Sequence, residues 1–299
     1  MDFKIGDEIE GYGETEPKKK RSSFFSILVV IIVSLSVGFI VYFVCNAIFV
    51  KKPPEPEPIT RENLNLSEEN VKILYNYVTY GTKGERNSKF LVEKNVTIDS
   101  FSNQEKYYYA LQFVQQGDFE NTGRTDSAGN KIYKLYSETI REYMQRFFGG
   151  SVSYTNDITM TYAFRFKMDG KNVGEITASA DGDGLDVAFN GLEGASTNPV
   201  KPYYGELVAA YKEPDGTYTL EEKVVYAEAK EEQGVYSIYI YGDPEKFNLI
   251  ETKLNQTPET LQQNPISISQ YLDRATTVTY HFAIFNSMLY FESSKITNN

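Results

Sequence analysis

The sequence predicts an α+β protein: one N-terminal transmembrane helix, then an extracytoplasmic domain of N-terminal helices packed on a mostly antiparallel sheet. Three observations predict it. Phe24–Val50 is a run of 27 residues without a charge. Between residues 67 and 147 the apolar residues recur with a helical period near 3.6. From residue 158 onward the period falls to 2, the signature of strands with one buried face.

The uncharged run comes first. As a helix rising 1.5 Å per residue it would span about 40 Å, more than the ~30 Å hydrocarbon core, so it is long enough to cross with some tilt. A signal peptide would carry a shorter apolar region and a small-residue cleavage site. This run instead ends in Ile48, Phe49, Val50 and Lys51. Cys45, the one cysteine, is preceded by Val44 rather than the small residue of a lipid-attachment site, and reads as an apolar helix residue. Lys18, Lys19, Lys20 and Arg21 precede the run, against Lys51 and Lys52 after it. The larger cluster stays in the cytoplasm, so the bulk of the chain is expected outside, on a single-pass signal anchor.

Residues 1–23 read as a disordered cytoplasmic tail, too short to bury a core. Tyr12, among Asp7, Glu8, Glu10, Glu14 and Glu16, is the obvious anchor if a partner reads this tail. Residues 51–66 read as a stalk, stiffened by Pro53, Pro54, Pro56 and Pro58. Residues 67–299 form the expected domain.

In Ser67–Tyr80 the residues Val71, Leu74, Tyr75 and Val78 share one helix face, with Ser67 as cap and Gly81 as stop. Ser102 and Glu105 have the spacing of a capping box, and open a helix with the stripe Tyr107, Ala110, Leu111 and Val114. Gly117–Lys131 reads as a polar loop. A third helix starts at Ser137, shows Ile140, Tyr143, Met144 and Phe147 at helical spacing, and stops at Gly149 and Gly150. Strands are then expected at Ile158–Met168, Val173–Ala178, Tyr203–Lys212, Thr217–Ala229 and Val235–Tyr241. A last hairpin joins Thr276–Phe285 to Ser287–Lys295 at Asn286. Residues 243–274 suit one or two short helices. A curved sheet wrapping a helix would fit this order.

Composition limits the chemistry. Of the chain's 30 basic and 41 acidic residues, 25 and 35 follow Val50. Such a surface repels phosphate backbones, so no nucleic-acid partner is expected. No cysteine lies in the domain, which excludes internal disulfides and cysteine-based zinc sites. The composition fits a bacterial envelope protein. His281 is the only histidine, placed on the more polar face of its strand, and no G-x-S-x-G elbow accompanies it.

Two constellations remain. Ser179, Asp181, Asp183 and Gly184 approximate the start of a calcium loop, with Asp186 nearby, but the twelfth position is Asn190 rather than a glutamate. The same residues equally make a strand-connecting turn. Calcium is the one cofactor the sequence offers. The second is tyrosine: 24 in the chain, with no tryptophan. Tyr107, Tyr108 and Tyr109, or Tyr236, Tyr239 and Tyr241, would suit a surface that stacks on sugars or anchors a protein. Tyrosine also fills half-buried sheets.

The expected function is therefore a non-catalytic, membrane-anchored binding or interaction protein of the cell envelope. Its expected partners are the lipid bilayer and an envelope protein or glycan. Two alternatives stand beside it: a carboxylate-dependent envelope hydrolase, and a bitopic scaffold acting through its transmembrane helix and acidic tail.

Overall fold

The computed structural model describes residues 30–42, 60–81, 88–191 and 200–297. The chain divides into two compact units, Met1–Ile59 and Thr60–Asn299. In the first, residues 30–42 form helix α1, with every side chain exposed. Among the described residues no helix is long and apolar enough to cross a membrane. The remainder of the 24–50 span, Cys45, the tail 1–23 and the stalk up to residue 59 lie outside the described residues.

The second unit is a mixed α+β fold in which every strand pair among the described residues is antiparallel. It begins at Thr60, ahead of the expected Ser67. Strand β1 (Glu62–Asn63) already pairs with β8 (Tyr203–Lys212), and the Arg61 guanidinium lies 3.7 Å from the Tyr211 ring centre.

Four helices follow. Helix α2 (Glu69–Thr79) buries Val71, Leu74, Tyr77 and Val78, while Tyr75 stays half-buried on its flank. Its cap is Glu68, not Ser67, whose amide and hydroxyl instead donate to Asn65. Helix α3 (Lys89–Val92) is one turn, with Lys89 bridging Glu93 and Glu105. Helix α4 (Asn103–Ala110) opens on the expected capping box: Glu105 N–H donates to Ser102 at 3.2 Å, and Ser102 N–H returns to Glu105 at 2.8 Å. The whole stripe Tyr107, Ala110, Leu111 and Val114 is buried, although the α-helix tightens into a 3₁₀ turn at Leu111–Phe113. Helix α5 (Ser137–Phe148) buries Ile140, Met144, Phe147 and Phe148.

The strands form two sheets, where one had been expected. The smaller has the order β3-β4-β7-β6-β5, made of β3 (Phe119–Thr125), β4 (Lys131–Leu135), β5 (Thr159–Met168), β6 (Lys171–Ala178) and β7 (Leu185–Gly191). The supposed loop Gly117–Lys131 thus holds most of an edge hairpin. Strand β3 has no buried residue, so its sequence carries no apolar alternation to betray it.

The larger sheet runs β1-β8-β9-β12-β13-β2, with β2 (Asn95–Thr97), β9 (Tyr218–Glu232), β12 (Thr276–Phe285) and β13 (Met288–Thr297). Strand β9 is long enough to change partners along one edge. Its first half pairs with β12 and its second with β10 (Val235–Tyr241), which pairs in turn with β11 (Leu249–Gln256). Between residues 243 and 274, therefore, lie the strand β11, a short helix α6 (Pro258–Gln263) and two 3₁₀ turns.

The alternation of β9 divides the core. Leu220, Val224 and Tyr226 face the main apolar cluster, which both sheets and helices α2–α5 share. Val225 and Ala227 face a second cluster with Ile238, Ile240, Leu261, Ile266 and Tyr271. The hairpin between β12 and β13 turns at Asn286 and Ser287, both with positive φ, as two-residue hairpins of this twist require.

Candidate functional site

The tyrosine triplet of α4 is structural. Tyr107 and Tyr109 are fully buried and Tyr108 is half-buried. The Tyr107 hydroxyl donates to Asn156 at 2.8 Å. Tyr109 stacks on Phe147 at 4.8 Å, and Tyr108 packs edge-on against Tyr162. Helix α4 meets other elements on more than one side, so the 100° rotation between successive residues leaves none of the three standing free. On β10 the three tyrosines do not share a face. Tyr236 packs on the second cluster, Tyr241 on the main one, and Tyr239 lies under the Lys230 ammonium at 5.1 Å. The α4 triplet is largely buried, whereas the three β10 tyrosines are each half-buried, on two faces of the strand.

The segment Ser179–Gly184 connects β6 to β7. Asp181 accepts from the Ser179 hydroxyl and from the Asp183 N–H, and is bridged by Lys134 from β4. The Lys134 ammonium, with those donors, holds the Asp181 carboxyl far below its ordinary range. Asp186 is held by Arg124, with both oxygens 2.8 Å from one guanidinium nitrogen. Cations of the protein therefore sit where a calcium ion would compete. Among the described residues no three His, Cys, Asp or Glu side chains gather to hold a metal. His281 sits opposite Thr219, its Nδ1 3.2 Å from the threonine hydroxyl.

A site that the sequence reading passed over lies beside α2. In β9 the inward row reads Leu220, Glu222, Val224, Tyr226, which places a carboxylate among core residues. Glu222 has no exposed surface. The Tyr75 hydroxyl from α2 donates to its Oε1 at 2.7 Å, and the Tyr280 hydroxyl from β12 donates to its Oε2 at 2.6 Å. Room for the carboxylate comes from Gly205 on β8, where a Cβ would stand 2.1 Å from Glu222 Oε1. An apolar row interrupted by one acid is the signal that could have found this residue.

Above it opens a cleft of about 550 Å³, between α2, the start of β8 and the segment 265–268. Tyr75, Tyr203 and Tyr204 line it, and Glu222 is the one carboxylate among the described residues that does so. Two of these rings are tethered. Tyr75 is tied to Glu222, and the Tyr204 hydroxyl accepts from the Lys201 N–H at 3.1 Å. Burial raises the Tyr204 phenol above its ordinary value, against the opposing pull of that N–H, so it stays protonated at neutral pH. The volume suits a small ligand or one or two units of a polymer. Fixed aromatic faces with polar edges suit a ligand that has both apolar faces and hydroxyl or amide groups. A two-carboxylate glycosidase needs a second acid about 5–9.5 Å from the first, and among the described residues the lining holds Glu222 alone.

The fold and this cleft define the class of protein in structural terms: a two-sheet antiparallel α+β domain with a tyrosine-lined cleft beside its first helix. No family model matches the chain, and no curated protein or solved structure matches it.

Proposed function

We propose that this chain is a single-pass, membrane-tethered binding protein of the cell envelope, whose extracytoplasmic domain holds a glycan in the cleft beside Tyr75 and Tyr204. The observation that carries the reading is the tethering of both rings before any ligand arrives. A ring already held in place loses little rotamer freedom on binding, so more of the stacking energy appears as affinity. Glu222 acts here as a positioning residue: it fixes Tyr75 from behind.

The tether rests on residues 24–50. Residues 30–42 are helical, uncharged and exposed on every face, a surface that is costly in water and favourable in lipid. In intact cells, external protease should remove the domain and leave a membrane-bound N-terminal fragment. Protection of the domain, or recovery of the full chain in the soluble fraction, would overturn the topology.

The cleft is tested with the full chain in lipid nanodiscs, titrated with soluble peptidoglycan disaccharide fragments. Tyr204→Ala should weaken binding roughly tenfold or more, as loss of an aromatic anchor does. Unchanged affinity in Tyr204→Ala and Tyr75→Ala would remove the cleft as the binding site. Release of new reducing ends during the titration would replace the binding reading with the hydrolase.

A further inference from the structure

The opposite flank of α2 carries a second groove, of about 610 Å³, between that helix, α5 and the tips of two hairpins. Its apolar lining includes Ile73, Ile284 and Met288, which are 36%, 50% and 47% exposed. Glu62 of β1 is the register partner of Lys212, yet among the described residues that line the groove the charged ones are Arg146 and Lys212, and none is a carboxylate. That is unusual placement in a chain whose residues after Val50 number 35 acids against 25 bases. Neither cation is in an ion pair with any described residue, although Arg124, Lys134 and Lys89 in the same domain all are.

Arg146 is also oriented. Its Nε donates to the Tyr77 hydroxyl at 3.2 Å, and its guanidinium lies over the Phe113 ring at 4.5 Å. Both contacts hold the plane of the guanidinium and leave its terminal nitrogens for an incoming acceptor. A planar, weakly hydrated fork of this kind matches a carboxylate in two-point geometry. Exposed Ile and Met beside an oriented Arg is the composition of a protein interface core. Exposed apolar groups of this kind mark binding surfaces when they gather in one place.

We infer that this groove receives an acidic, apolar peptide segment of a protein partner, whose carboxylates meet Arg146 and Lys212 while its apolar side chains cover Ile73, Ile284 and Met288. A peptide is favoured over an acyl chain because the groove is open and mixes apolar walls with Asn70 and Ser287, which can pair with peptide amides. The inference does not depend on the Glu222 cleft.

The test is selection of a random twelve-residue peptide display library on the full chain in neutral-lipid nanodiscs. Sequences combining Asp or Glu with Leu, Ile or Phe should be enriched. Their binding should fall at least tenfold in the Lys212→Glu/Arg146→Glu variant and weaken with added salt. Ile284→Ser, a change at a half-exposed side chain, should weaken the same peptides while leaving the thermal midpoint unchanged, which separates loss of the groove from loss of the fold. Enrichment of basic or uncharged sequences, no enrichment at all, or peptides indifferent to all three substitutions would overturn the inference. So would displacement of the selected peptides by oleate, which would assign the groove to an anionic lipid.

Discussion

Gly184→Ala is expected to lower the stability of the domain by about 4 kcal/mol, at the upper end of single-substitution effects. Gly184 has φ +118, a backbone region that side chains rarely enter. A Cβ there would stand 2.1 Å from the Leu135 carbonyl oxygen and 3.0 Å from the Ser137 nitrogen. Both are backbone atoms at the junction of β4 with α5, and neither can swing aside as a side-chain tip can. For a domain of this size the loss corresponds to a fall of roughly 10 °C in the melting midpoint. Gly182, two residues earlier, is the control. It also has positive φ, but no atom lies within 4 Å of its would-be Cβ. Its alanine variant should cost only about 1 kcal/mol, the local backbone strain alone. Guanidinium titration of the purified chain, followed by tyrosine fluorescence, compares the two. Equal midpoints would mean that β7 does not dock on Leu135–Ser137 in this way.

The same comparison bears on the Ser179–Gly184 segment. A calcium loop needs its glycine for a sharp turn around an ion. Here the glycine is needed because the hairpin lies against another strand's backbone. The acidic residues around it already have protein cations as partners, Lys134 for Asp181 and Arg124 for Asp186.

Glu222→Ala should cost about 3 to 4 kcal/mol, because it deletes the acceptor of two tyrosine hydroxyls and leaves a void in the main core. Tyr280 has no exposed surface, so its hydroxyl cannot recover the bond from water. Glu222→Gln keeps the volume and one acceptor oxygen, and should cost about 1 kcal/mol. The pair also separates stability from binding. Glu222→Gln should leave the fold intact while the tether on Tyr75 changes, so affinity for the proposed glycan should drop more than stability does. An alanine variant as stable as the parent would show that the Tyr75–Glu222–Tyr280 arrangement contributes little to the fold. Gly205→Ala reports on the same space from the other side, since its methyl group would displace the Glu222 carboxylate.

Most of the secondary structure was legible because it depends on neighbours in the chain. The capping box at Ser102 and Glu105 is a three-residue relationship, and it forms as its spacing requires. The limits of β8 and β10 match the periodic segments Tyr203–Lys212 and Val235–Tyr241. Strands without that periodicity carry no such local signal. β3 is an exposed edge strand and read as a loop. β11 has no fully buried residue, and its two register shifts against β10 break any regular alternation.

The candidate site was far less legible. Tyr75 and Glu222 are 147 positions apart, and no local pattern joins them. The triplet Tyr107 to Tyr109 packs into or against the core, whereas the cleft is lined by the pair Tyr203 and Tyr204 with Tyr75, brought from 128 positions away. Runs and triplets report composition, while a cleft is made by whichever side chains the packing of separate elements leaves at its walls.

By itself the sequence determined the helices and strands with a regular apolar period, the turns between many of them, the acidic balance, and one uncharged run of spanning length. These follow from energies that act within a few residues or that sum over composition. Only the tertiary structure decided that the strands form two sheets, that β9 buries an acid, and that Arg146 faces an apolar groove. Those outcomes depend on which distant elements pack together, and side-chain contact energies enter only when that packing has brought the surfaces within a few ångströms.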